Sequence, residues 1–186
     1  MRKRQVTKKK TPHKVFLVIC EGETEKTYIE TLKRHYRLPI VIKTRVSGTK
    51  INQRLVSQYI AELGIDKGDQ CHVFFVYDAD VDEIVEKLKQ LNGTLILSNP
   101  CIELWYLLHV KEYRKSQGSA EIVKELINVN NLWSNYIKGR LSNEQSSYLL
   151  SNCQNAILNA HKLTCHNNPS SNMYLMIEAI EKEQNC

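Results

Sequence analysis

Glycine and proline are scarce in this 186-residue chain, at seven and four residues, and there are only three phenylalanines and two tryptophans. No internal repeat and no low-complexity segment appears beyond a basic start, so neither a repeat array nor a flexible linker is expected. No apolar run approaches the ~20 residues of a membrane span, the longest clear one being Val15–Cys20. The basic start has no apolar stretch and small-residue cleavage site behind it, so a secretory signal is not expected. The expectation is a cytoplasmic protein with no membrane association. None of the six cysteines forms a C-x-x-C pair. The neighbours Cys165 and His166 lack two further ligands at zinc spacing, so reduced, buried thiols are the simpler reading. The chain also lacks G-x-x-x-x-G-K-[ST], and with it a P-loop. What is there is enough for a packed core: 42% of the residues are hydrophobic and 25% charged, which excludes both a disordered chain and a disulfide-stapled miniprotein.

The net charge of +6 belongs to one end. Residues 1–14 hold seven of the 26 basic side chains and no acid, which leaves 19 against 20 acids from Val15 onward, a formal −1. Residues 1–14 therefore read as a basic arm, solubilising or in contact with nucleic acid, and residues 15–186 as one domain.

Within that domain Val15–Cys20 is a continuous, β-branched apolar run, the pattern of a strand buried on both faces. Lys26–Tyr36 follows with Tyr28, Ile29, Leu32 and Tyr36 at helical spacing, ended by Pro39. Ile40–Val46 alternates as a strand, and Ser47-Gly48-Thr49 makes a loop. Ile51–Leu63 is helical, Asp66–Asp69 turns, and His72–Tyr77 is a second apolar strand running into Asp78-Ala79-Asp80. Asp82–Leu91 is a helix and Thr94–Leu97 a short strand. The alternation of strand and helix predicts an α/β fold with a mostly parallel sheet flanked by helices over about 15–100. From 101 to 186 the pattern is helical, over Cys101–Tyr113, Ile122–Val129, Glu144–His161 and Ser171–Glu181.

Both long apolar strands run into carboxylates: Glu21 after the first, Asp78 and Asp80 after the third. Ligands of open parallel sheets sit beyond the carboxyl ends of the strands, so Glu21 and Asp78 converge if their strands are neighbours. Glu25, one helical turn past Glu21, faces the same place if its helix starts early. Hard oxygen donors of this kind suit Mg²⁺ or Mn²⁺, which polarise phosphate oxygens. A plainer reading is also open. Acids in a helix's first turn complement its dipole, and Asp-x-Asp after a strand often starts a turn or caps a helix.

Three stretches carry a family resemblance. Val18-Ile19-Cys20-Glu21-Gly22-Glu23-Thr24-Glu25, a strand followed by E-G-x-T-E, resembles the first motif of Toprim domains, especially those of OLD-type nucleases. Phe75-Val76-Tyr77-Asp78-Ala79-Asp80 looks like the Toprim D-x-D motif. The block from Leu97 through Ser98-Asn99-Pro100, Glu103 and Trp105 to His109, with Asn168-Pro169-Ser170-Ser171 later, is similar to RloB-like proteins, one relative being the AbiLii component. The resemblance covers about residues 15–183. It implies a Toprim-like fold and a divalent-metal nuclease, or nuclease-like effector, of a restriction-associated or abortive-infection anti-phage system. Such proteins are often encoded beside a separate ATPase, which suits the missing P-loop. Carried over by position, Glu21 is the catalytic acid, Asp78 and Asp80 hold Mg²⁺ or Mn²⁺, and Glu25 is a further ligand.

Secondary candidates follow. Asn99 and Pro100 suit an N-cap and first helical position, which puts Glu103 fourth in the helix, one too late for a capping box. Glu103 is thus open to a ligand role as well as to pairing with the helix dipole. His109 reads better as a hydrogen-bonded core residue than as a chemical group. Lys43, Arg45, Lys50 and Arg54 flank Ser47-Gly48-Thr49 and form either a phosphate track for DNA or RNA or a solvated basic loop. Tyr136, Lys138 and Arg140 are not distinguishable from surface residues. A non-catalytic nucleic-acid- or ATPase-binding module with a vestigial site is the alternative function, and a homo-oligomer is possible on either reading.

Overall fold

The computed structural model describes residues 14–36, 41–64 and 70–184. The basic arm, Pro39, Ile40 and the Asp66–Asp69 turn lie outside these segments. Four parallel strands form the sheet: β1 (Lys14–Cys20), β2 (Val41–Val46), β3 (Gln70–Asp78) and β4 (Thr94–Asn99). A two-residue strand, β5 (Ser170–Ser171), pairs antiparallel with β4, giving the order β2-β1-β3-β4-β5. The expected α/β architecture is therefore present, and β1 and β3 are neighbours, with Cys20 in register with Val76.

Strand alternation divides the core in two. Phe16, Val18, Cys20, Phe74, Val76 and Ile96 point to one face, where they meet α1 (Glu23–His35) and the helices after residue 100. Leu17, Ile19, Phe75, Tyr77 and Leu97 point to the other, under α2 (Gln53–Glu62) and α3 (Asp82–Lys89). A run such as VFLVIC needs no polar alternation because both of its faces are covered. The first face is the deeper one. There α4 (Ile102–Val110) is buried from Ile102 to His109, and around it lie α5 (Ser119–Val129), α6 (Asn143–Ser151), α7 (Cys153–His161) and α8 (Tyr174–Gln184). Tyr106 stacks on Trp133 at 5.8 Å between ring centres, with Tyr136 edge-on to both.

Several local expectations change. α1 begins at Glu23, three residues before the apolar spacing starts, because Gly22 N–H bonds the Glu25 carboxylate at 2.8 Å. α4 begins at Ile102 with Cys101 as its cap, so Glu103 is second in the helix rather than fourth, and Asn99 still belongs to β4. The stretch Glu144–His161 is two helices that break at Asn152, whose side chain bonds back to Tyr148 C=O. Ser171 is in a strand rather than in a helix: Asn172 donates its N–H to Leu97 C=O, and the helix waits until Tyr174. A short 3₁₀ turn, Gly48–Lys50, stands where a loop was expected. Among the described residues, no helix is long and apolar enough to cross a membrane.

Candidate functional site

Four carboxylates gather beyond the carboxyl ends of β1 and β3. Glu21 follows β1 directly, and its N–H still bonds Val76 C=O at 3.0 Å, so the ladder carries it to the edge of the sheet. Its Oε2 accepts the N–H of Asp78 at 3.0 Å, which ties the two strand ends together. Asp78 Oδ1 in turn accepts the N–H of Ile102, the first residue of α4, at 2.9 Å. Asp78 thus caps a helix across the sheet. Glu25 and Glu103 enter from the first turns of α1 and α4, and both are buried.

Burial and mutual repulsion decide the charge state of this cluster. Desolvation first, then the charges of Glu25, Glu21 and Glu103, push the Asp78 carboxyl from 3.8 up to about 9. Glu25 is raised by burial and then, against its helix-cap hydrogen bonds, by Glu21 and Glu103. Glu21 is raised by burial, an effect opposed by the Asp78 N–H and by Lys138 and supported by Asp80. Glu103 has no exposure to solvent; its Oε1 accepts the Tyr136 hydroxyl at 2.9 Å, and its Oε2 is buried with no partner. An orphaned carboxylate oxygen is costly in a protein interior and marks a place where a cation or donor would be welcome.

Of the acids expected to act together, Glu21, Glu25, Asp78 and Glu103 are mutually coupled, whereas Asp80 sits at the exposed rim, 3.4 Å from the Ser119 hydroxyl. Among the described residues no group of three His, Cys, Asp or Glu side chains stands in a geometry that could hold a metal ion. The donor set is hard and anionic, and the unpartnered Glu103 Oε2 fits a divalent cation; the present side-chain positions tie the other acids to backbone N–H groups.

The four basic candidates separate. Lys50 and Arg54 line a groove of about 440 Å³ with Ser47, Asn52, Gln58 and Tyr59. Arg45 lies over the Tyr59 ring at 5.7 Å and pairs with Glu62 at 3.5 Å, and Lys43 is exposed on edge strand β2. The groove adjoins the acids through the backbone, since Ser47 and Gly48 donate to the carbonyls of Cys20 and Glu21 at 3.1 and 2.9 Å.

Two residues that were indistinguishable in the sequence belong to the site. Tyr136 bonds Glu103, and the Lys138 ammonium lies 3.6 Å from the same oxygen. Neither sits in a periodic element, and 33 residues separate Tyr136 from Glu103, so no local pattern announced them. His109 is a core residue: its Nδ1 bonds Trp105 C=O at 2.8 Å and its ring stands edge-on to Trp105.

Comparison with known proteins adds one finding. The family described as RloB-like protein matches residues 16–180, nearly the whole described chain. No curated protein and no solved structure matches at a significant level.

Proposed function

The chain belongs to the RloB-like family, and from that membership and the buried acids we propose a Toprim-like, Mg²⁺- or Mn²⁺-dependent phosphodiesterase that cleaves DNA or RNA. The observation that carries this reading is the coupling of Glu21, Glu25, Asp78 and Glu103 beyond two adjacent parallel strands, with a buried carboxylate oxygen of Glu103 left unpartnered. Four acids assembled at this electrostatic cost, where nothing in the packing requires them, favour a cationic ligand over structure alone.

A bound Mg²⁺ or Mn²⁺ would supply Lewis-acid stabilisation of charge on the scissile phosphate. Glu103, Asp78 and Glu25 would hold it, with Asp80 at the open rim. Glu21 stands nearest the solvent side of the buried acids and is placed to take the proton from an attacking water. Water adds to phosphorus, one P–O ester bond breaks, and the proton goes to the departing oxygen, leaving a phosphate monoester and a hydroxyl. Lys50 and Arg54 would carry neighbouring phosphates along the groove. With no P-loop in the chain, a separately encoded ATPase would license the activity, and the setting would be anti-phage defence in the cytoplasm.

Melting curves with and without millimolar Mn²⁺ test this reading on wild type, Glu21→Ala and Asp78→Ala. Both variants should melt slightly higher than wild type without metal, because clustered carboxylates repel. Wild type should gain stability with Mn²⁺ and the variants less, and cleavage with the ATPase present should fall by orders of magnitude in both. A non-catalytic module predicts equal metal response in all three proteins and no cleavage under any condition. Equal response would remove the site.

A further inference from the structure

Among the described charges acting on Glu21, the one cation is Lys138. Its side chain is 55% exposed, yet the ammonium lies 3.6 Å from an oxygen of Glu103, which is 0% exposed. One side of the ammonium therefore faces buried acids and the other faces solvent. At 3.6 Å the contact is longer than a hydrogen bond, so the ammonium acts through space and keeps its donors for other acceptors. Its field extends beyond Glu103 to Asp78 and Glu25.

The turn that presents it is well held. Ile137 and Arg140 form a bridge, with Arg140 N–H on Ile137 C=O at 3.0 Å. Thr27 of α1 donates its hydroxyl to Gly139 C=O at 2.9 Å. Gly139 has φ +78, and a Cβ there would come within 3.4 Å of the Glu23 side chain, so glycine lets the turn lie against α1. Tyr136, bonded to Glu103, anchors the near end. The turn is thus fixed to the helices that carry Glu25 and Glu103, while the lysine stem remains free to swing.

We propose that Lys138 is the built-in counter-cation of the acidic cluster and a catalytic residue of the phosphodiesterase. In the metal-free protein it offsets the charge of Glu21, Glu25, Asp78 and Glu103. Once a divalent cation takes over that task, the ammonium turns outward to a non-bridging oxygen of the scissile phosphate. The inference rests on the proposed function, and it assigns to one side chain both a competition with metal and a contact with substrate.

Lys138→Met and Lys138→Arg, compared with wild type, test it by metal-free melting, Mn²⁺ titration calorimetry and cleavage of an oligonucleotide with the ATPase present. Lys138→Met should melt lower without metal, by about 2–4 °C, through loss of counter-charge. It should bind Mn²⁺ about 10-fold more tightly, because a competing cation is gone. Its kcat at saturating Mn²⁺ should fall about 10²–10³-fold with KM little changed. Lys138→Arg should restore the melting temperature and Mn²⁺ affinity, and part of kcat. If Lys138→Met fails to fold, removing one acid with it (Glu25→Gln/Lys138→Met) should recover folding; failure to recover overturns the counter-cation role. Unchanged Mn²⁺ affinity and kcat in Lys138→Met overturn the proposal while leaving the metal site standing. Absence of Mn²⁺ binding by wild type overturns the proposed function and the catalytic half of this inference together.

Discussion

At the scale of single residues the unusual group is Asp78. Its carboxyl holds a proton up to about pH 9 in the folded chain, whereas an ordinary aspartate loses it near 3.8. Between these values the native state binds more protons than the unfolded state, so metal-free stability should fall as pH rises through that window. Asp78→Asn keeps an acceptor for Ile102 N–H and removes the titration; its melting temperature should vary less between pH 5 and 9 than that of wild type. A parallel slope in the two proteins would show that Asp78 is not the responsible group. His109 works in the opposite sense. Burial lowers its imidazole from 6.5 to about 4, so its contribution is complete above pH 6.5 and is lost as pH falls toward 4. Replacing it with glutamine should flatten the acid limb of the melting profile, an effect readable between pH 4 and 6.5 with no metal present.

At the scale of elements, the C-terminal segment joins the sheet through one side chain. Asn172 is 7% exposed; its Oδ1 accepts Leu97 N–H at 2.6 Å and its Nδ2 donates to Leu95 C=O at 3.1 Å. It continues the ladder of β4 after β5 has ended, and Ser98 and Ser171 add a hydroxyl pair at 2.8 Å beside it. Asn172→Ala would strand two backbone groups away from water. Denaturant titration should show a loss of about 2–4 kcal/mol, since each unmet buried group costs about 1–3 kcal/mol. A loss under 1 kcal/mol would mean that α8 docks by apolar packing alone.

At the scale of the whole molecule, the strands and the late helices share one apolar cluster. Phe16, Val18 and Cys20 of β1 pack in the same group as Trp105, Trp133, Leu149 and Ile180. Lys14, at the start of β1, also pairs with Glu183 of α8 at 2.8 Å. The same dependence holds for the site, because Glu103, Tyr136 and Lys138 all come from beyond residue 100. A fragment ending at residue 100 should therefore give no cooperative thermal transition and should bind an apolar dye. A cooperative transition in that fragment would show that α2 and α3 suffice to hold the sheet.

The sequence alone determined the strands, the alternation with helices and the placing of Glu21 and Asp78 at strand ends. Each of these follows from side-chain periodicity and from what a buried run must avoid, and both are local properties. Helix starts were less legible, because α1 and α4 begin under carboxylate bonds to backbone N–H groups: Glu25 to Gly22, and Asp78 to Ile102, 24 residues away. β5 was illegible in principle, since two serines have no strand pattern and owe their extended form to β4. Only the tertiary structure decided that Asp80 stays at the rim, that Arg45 turns to Tyr59 and Glu62, and that Lys138 stands over the acids. Charges act through space and across the chain, so which of them meet depends on packing that no window of sequence contains.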